Sequence, residues 1–147
     1  MRTSNADKDY IYERDLGICY ICGRRVKRNK MTLDHYFPKS LGGSSEIFNL
    51  VCCCKQCNRL KRSQMPNDWV AVNISLFRRA IIDKRLNTTA LTMSVDALLT
   101  KAERINSIFL NRFNAVFEAP GVRFYVKDGA IKKVVHFDEL DTQNIKI

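Results

Sequence analysis

Apolar and polar positions along the chain fall into two patterns. In the first 65 residues the apolar runs are short and closely punctuated. Residues 7–16 (Asp-Lys-Asp-Tyr-Ile-Tyr-Glu-Arg-Asp-Leu) predict a short helix stopped by Gly17, a residue that takes the left-handed conformation at little cost. Met31 to His35 has strand character and ends before Pro38, and Asn49 to Cys53 predicts a second short strand. Cys52 and Cys53 then face opposite sides of that strand and serve as small apolar fillers. Between the strands, Ser40-Leu41-Gly42-Gly43-Ser44-Ser45 is a loop that turns the chain back. A helix follows from about Lys55 to Ser63, before Pro66. Strand, loop, strand, helix is a ββα unit.

The remaining residues carry longer apolar stripes. Asn67 can cap a helix from Asp68 to about Leu86, with Val70, Ile74, Phe77 and Ile81 on one stripe. After the break at Asn87-Thr88-Thr89, Ser94 can cap a second helix reaching about Glu118. Its apolar face would be Leu98, Ala102, Ile105, Phe109, Phe113 and Val116, with Pro120-Gly121 as the stop. That helix would be roughly 37 Å long and would pair with the first as an antiparallel hairpin. Residues 122–126 and 131–137 flank Lys127-Asp128-Gly129-Ala130, and Asp-Gly between β-rich runs predicts a β-hairpin. The acidic tail after Phe137 is expected to be loose. The fold class expected is α+β: a ββα core over 1–65, then an appendage over 66–147 of a helical hairpin and a C-terminal β-hairpin.

The apolar fraction of 46% suffices for a core, and the chain carries a formal charge of +10. The first 65 residues hold 13 Lys/Arg against 6 Asp/Glu, the rest 12 against 9, so the excess sits with the ββα segment. A polyanion is the expected partner, nucleic acid first. No apolar run approaches the roughly 20 residues of a membrane span, and the polar start does not read as a signal peptide. All six cysteines lie between 19 and 57, unlike the spread of a secreted disulfide scaffold, so a reducing cytoplasm is the expected location.

Cys19-x2-Cys22 and Cys54-x2-Cys57 have the spacing of two zinc knuckles. Four thiolates close one tetrahedral Zn²⁺ and leave no open position, so this zinc is expected to be structural. Anchoring Cys57 fixes where Asn58 begins, and Lys61 and Arg62 lie on the same helical face as Asn58. Asp34 offers a carboxylate to a hard cation, and His35 an imidazole to water. As strand neighbours they should point to opposite faces unless the strand end is distorted. Arg24-Arg25-Val26-Lys27-Arg28-Asn29-Lys30 places five cations in seven residues, of which Arg24, Arg25, Lys27 and Arg28 are candidate phosphate contacts, with Lys39 and Arg62 beside the motif.

Taken together, Cys19-x2-Cys22, Asp34-His35-x2-Pro38, Gly42-Gly43, Asn49-Leu50-Val51 and Cys54-x2-Cys57-Asn58-x2-Lys61 resemble the zinc-containing HNH endonucleases of the ββα-metal fold. The resemblance covers residues 10–63. It implies that His35 is a general base activating water, that Asp34 and Asn58 hold one divalent metal, and that Asn49 braces the loop and the orientation of His35. The family's closing His is Asn58 here, a variant that also occurs in the family. Two oxygen ligands favour Mg²⁺ or Mn²⁺ at that position. Hydrolysis of DNA to 3′-hydroxyl and 5′-phosphate ends is then the expected reaction, with Lys61 and Lys39 as charge stabilisers.

Two other readings compete. A zinc-stabilised DNA-binding module without catalysis would need the cysteines and the basic surface, but not Asp34, His35, Asn49 and Asn58 together. Alternatively, residues 66–118 could pair with a second copy or a partner protein, making the nuclease one subunit of a larger complex.

Overall fold

The computed structural model describes residues 3–61, 64–110 and 114–137. The chain divides into two compact units, Met1–Trp69 and Val70–Ile147.

In the first unit, Ser4 caps helix α1 (Asn5–Arg14) by accepting the Asp7 N–H. The helix starts two residues before the expected Asp7 and ends two residues before the expected Leu16. Leu16 and Gly17 both adopt positive φ, 58° and 63°, and the Gly17 N–H reaches back to Tyr12 O at 2.8 Å. Arg14 is buried. Its guanidinium pairs with Asp15 and donates to the carbonyls of Ile47 (2.8 Å) and Leu50 (2.6 Å), while Asp15 accepts the Cys52 N–H (2.9 Å). One ion pair thereby ties α1 to the second strand.

Strands β1 (Met31–His35) and β2 (Leu50–Cys54) pair antiparallel, with Asp34 opposite Val51 and His35 opposite Leu50. Helix α2 (Lys55–Leu60) follows β2 without a break. The expected ββα order is therefore present, with β2 displaced by one residue and α2 starting as expected at Lys55 but ending at Leu60, short of the expected Ser63, which lies outside the described residues. Ile11, Phe48, Leu50, Cys52 and Cys53 form the interior of the unit. Cys52 and Cys53 are fully buried, and burial, helped by the charge of Asp15, pushes the Cys52 thiol up to about 11. Both act as packing groups, as their strand position predicted.

The second unit departs from expectation. Helix α3 (Trp69–Ile82) buries Ile74, Phe77 and Ile81 of the predicted stripe. It ends four residues early, where Lys84 takes φ 55° and the Arg85 N–H bonds Ala80 O. Helix α4 (Val95–Ala102) begins at Ser94 as predicted but stops after eight residues. The 37 Å helix does not form. Residues 107–119 instead contribute strands β3 (Ser107–Leu110) and β4 (Ala115–Ala119), which join β5 (Val122–Lys127) and β6 (Ala130–His136) in one antiparallel sheet of order β3-β4-β5-β6.

Two causes are visible. Arg78 donates to the carbonyls of Ala102 (2.7 Å), Glu103 (2.8 Å) and Ile105 (3.0 Å), satisfying the groups a longer helix would have used. Beyond it, Ala115, Phe117 and Ala119 are buried while Val116 and Glu118 are not, a period of two rather than 3.6. Phe77 stacks on Phe117 at 3.9 Å and meets Phe124 edge-on at 6.0 Å, forming the centre of this unit. The predicted hairpin is present, with Asp128 and Gly129 at φ 50° and 73°, the pair of positive values a type I′ turn requires. Without the doubly apolar helical hairpin, self-association through residues 66–118 loses the feature that motivated it. The tail from 138 onward and Phe113 of the expected stripe lie outside the described residues. No helix among the described residues is long and apolar enough to cross a membrane.

Candidate active site and metal centre

The first knuckle is a tight turn in which the Cys19 N–H bonds Arg24 O and the Gly23 N–H bonds Cys19 O, both at 2.9 Å. The Tyr20 N–H bonds Cys52 O at 3.1 Å and docks the turn on β2. The second knuckle is the β2–α2 junction, where Cys54 caps α2 by accepting the Cys57 N–H. The Sγ atoms of Cys19, Cys22, Cys54 and Cys57 all lie within 4.8 Å of one another. Zinc–sulfur bonds of about 2.3 Å place tetrahedral sulfurs roughly 3.8 Å apart, so the cluster needs only a small contraction to close on one ion.

The thiol electrostatics fit that occupant. Burial works to raise the Cys19 thiol, but backbone N–H groups of Cys22, Cys54 and Ile21 outweigh it and bring the thiol down to about 6. Cys57, bonded to Cys54 and held against Cys22 and Cys19, is pushed up to about 12. Thiols this close resist ionising together, and a soft dication removes that penalty. Cys53 Sγ also lies 4.0 Å from Cys19 Sγ, but burial raises its thiol well above the ordinary range. The four-cysteine cluster is thus suited to a structural zinc.

Around the end of β1, a cleft of about 320 Å³ is lined by Asp34, His35, Pro38, Lys39, Ser40, Asn58, Arg59 and Lys61. The strand alternation that set Asp34 and His35 apart does not keep them from this common cleft. Asp34 is buried. Its Oδ2 accepts from Tyr20 OH and pairs with Lys61 Nζ at 3.0 Å, while Oδ1 has no partner among the described residues. Lys61 Nζ also donates to His35 O at 2.7 Å, bridging the two motif residues. Asn58 uses Nδ2 to donate to Thr32 Oγ1 (2.9 Å) and Leu33 O (3.4 Å), which leaves its Oδ1 without a partner among the described residues. Asp34 and Asn58 thus line one cleft, and each keeps an oxygen acceptor without a protein donor among the described residues. That is a fitting donor set for a hard divalent cation.

His35 is half-buried. Its Nε2 lies 2.9 Å from Ser45 Oγ, and Nδ1 has no partner among the described residues. Burial and the nearby Lys39 charge hold the imidazole below its ordinary range, against the opposing pull of Asp34.

The loop between the strands is held by Asn49, which is fully buried. Its Oδ1 accepts the Phe37 N–H (2.9 Å), and its Nδ2 donates to Phe37 O (3.1 Å) and Ser44 O (2.8 Å). Ser44 precedes the serine that meets His35. Gly43 packs against the same segment, and a Cβ there would fall 1.8 Å from Phe37 O. Any side chain at Gly43 would move the loop that carries Ser45.

Of the candidate phosphate contacts, Arg24, Arg25 and Lys27 are exposed and Lys39 is exposed at the cleft. Arg28 is committed to Asp9 at 2.6 Å. Arg62 lies outside the described residues. Three residues that sequence reasoning did not name, Tyr20, Thr32 and Ser45, make direct contacts with Asp34, Asn58 and His35. Arg59 also lines the cleft. Only Tyr20 had a signal, its place inside a knuckle, and nothing in the sequence pointed it at Asp34.

Residues 19–70 match the HNH endonuclease family. No curated protein matches the chain. The matched segment runs from the first knuckle cysteine through both strands and α2, and so contains the cysteine cluster and the whole cleft. The segment is an HNH-family nuclease domain with a four-cysteine cluster suited to structural zinc.

Proposed function

We propose that the protein is a metal-dependent endonuclease that hydrolyses DNA phosphodiester bonds. The observation that carries this reading is the common cleft, which Asp34, His35 and Asn58 line together with Lys39, Arg59 and Lys61. Asp34 Oδ1 and Asn58 Oδ1 would hold Mg²⁺ or Mn²⁺. When bound, such an ion supplies charge to a phosphoryl oxygen and to the departing 3′-oxygen.

His35 takes the proton of the attacking water. A tautomer with its proton on Nε2, shared with Ser45 Oγ, leaves the lone pair on Nδ1 as the basic nitrogen. Asn49 keeps the loop, and with it Ser45, in register with the ring. Lys39 and Arg59 attract the phosphate backbone, and Lys61 offsets charge that develops at the reacting phosphate. In-line attack with loss of the 3′-oxygen leaves 3′-hydroxyl and 5′-phosphate ends.

Incubation of zinc-loaded, EDTA-treated protein with supercoiled plasmid tests the reading. Cleavage should appear on addition of Mg²⁺ or Mn²⁺ and stop with excess EDTA. Tight, salt-dependent DNA binding with no cleavage under any divalent ion would support the non-catalytic DNA-binding module instead.

A further inference from the structure

Tyr20 stands between two ligands of the cysteine cluster in sequence and touches the catalytic carboxylate in space. Its backbone is fixed on both sides by Cys19 and Cys22, and its N–H is bonded to Cys52 O at 3.1 Å. Its ring packs 5.6 Å from the Tyr36 ring, and Lys61 Nζ lies 5.8 Å over its face. The hydroxyl donates to Asp34 Oδ2, the oxygen that also receives Lys61. Two donors on Oδ2 fix the carboxylate rotamer and leave Oδ1 without a protein donor among the described residues, on a side chain that lines the cleft with Asn58.

We infer that Tyr20 is a positioning residue through which the zinc knuckle sets the orientation of Asp34 for divalent-metal binding. The inference rests on the reading of Asp34 as a ligand. Partners that orient a ligating carboxylate typically contribute 10- to 100-fold to metal affinity. Lys61 alone is a poorer guide, because its flexible ammonium also serves His35 O.

The test is Mn²⁺ binding to zinc-loaded protein, read from the electron paramagnetic resonance signal of free Mn²⁺, on wild type, Tyr20→Phe and Asp34→Ala. Phenylalanine keeps the ring and removes only the hydroxyl. Tyr20→Phe should retain the zinc content and melting temperature of wild type and raise the Mn²⁺ Kd by roughly 10- to 100-fold. Asp34→Ala should lose the site. Wild-type Mn²⁺ affinity in Tyr20→Phe, with the site lost in Asp34→Ala, overturns the role of Tyr20 alone. Loss of zinc or melting temperature in Tyr20→Phe in proportion to Mn²⁺ affinity would make Tyr20 merely structural and also overturns it. Unchanged affinity in Asp34→Ala instead removes the ligand assignment on which the inference rests.

Discussion

Asn49 shows how much one buried amide can organise. It satisfies the Phe37 N–H, the Phe37 carbonyl and the Ser44 carbonyl at once, with no solvent exposure. Each buried group left unpaired costs about 1–3 kcal/mol, so Asn49→Ala should destabilise the first unit by about 3 kcal/mol, measured by denaturant melts. A change of only a few tenths would mean that water replaces the amide. Ser45→Ala should act differently, leaving stability near wild type and lowering cleavage roughly 10-fold, because His35 loses the partner that fixes its tautomer. At this scale the sequence was legible where unusual residue types stand at fixed spacing: the four knuckle cysteines cluster, and Asp34, His35 and Asn58 line one cleft. Tyr20, Thr32 and Ser45 were not legible. Their contacts cross 14, 26 and 10 residues and depend on a register that no local pattern encodes.

At the scale of elements, the ββα core and the Asp128-Gly129 hairpin followed from local rules, since strand alternation, Pro and Gly punctuation and turn chemistry all agree there. The segment 95–119 did not. Its apolar residues satisfy a 3.6 period on paper, but tertiary contacts chose otherwise. Phe117 is needed against Phe77 in the sheet, and Arg78 takes the carbonyls that end α4. Removing that guanidinium should be costly for a partly exposed residue. Arg78→Ala should lower the stability of the second unit by about 2 kcal/mol, at ~1.5–3 kcal/mol for hydrogen bonds from a charged donor, and a thermal melt followed by circular dichroism checks it. A melt unchanged from wild type would show that solvent caps α4 equally well.

For the whole molecule, charge and metal set the behaviour. The charge excess of the first 65 residues predicts DNA affinity that falls steeply with salt. Replacing Arg24, Arg25 and Lys27 by Ala should flatten the slope of log K against log salt by roughly 0.9 for each cation on a phosphate. Arg28→Ala should flatten it less, because that guanidinium is held by Asp9. Equal effects from all four would show that the Asp9 pair opens on binding. Cys57→Ser should lower zinc content and melting temperature together, since the closed cluster joins the N-terminal knuckle to the β2–α2 junction. The core with the four-cysteine cluster was readable because each Cys-x2-Cys knuckle is a local pattern, whereas the sheet of the second unit depends on long-range pairing.

One comparison tests most directly whether His35 is the base of a hydrolytic site. Wild type and His35→Ala, both zinc-loaded, EDTA-treated and returned to Mg²⁺, are assayed for plasmid cleavage with zinc content and melting temperature measured on the same samples. His35 belongs to neither ligand set, so zinc, melting temperature and DNA binding should stay near wild type while cleavage falls at least ~10²–10⁴-fold. Cleavage by His35→Ala at the wild-type rate would contradict the assignment.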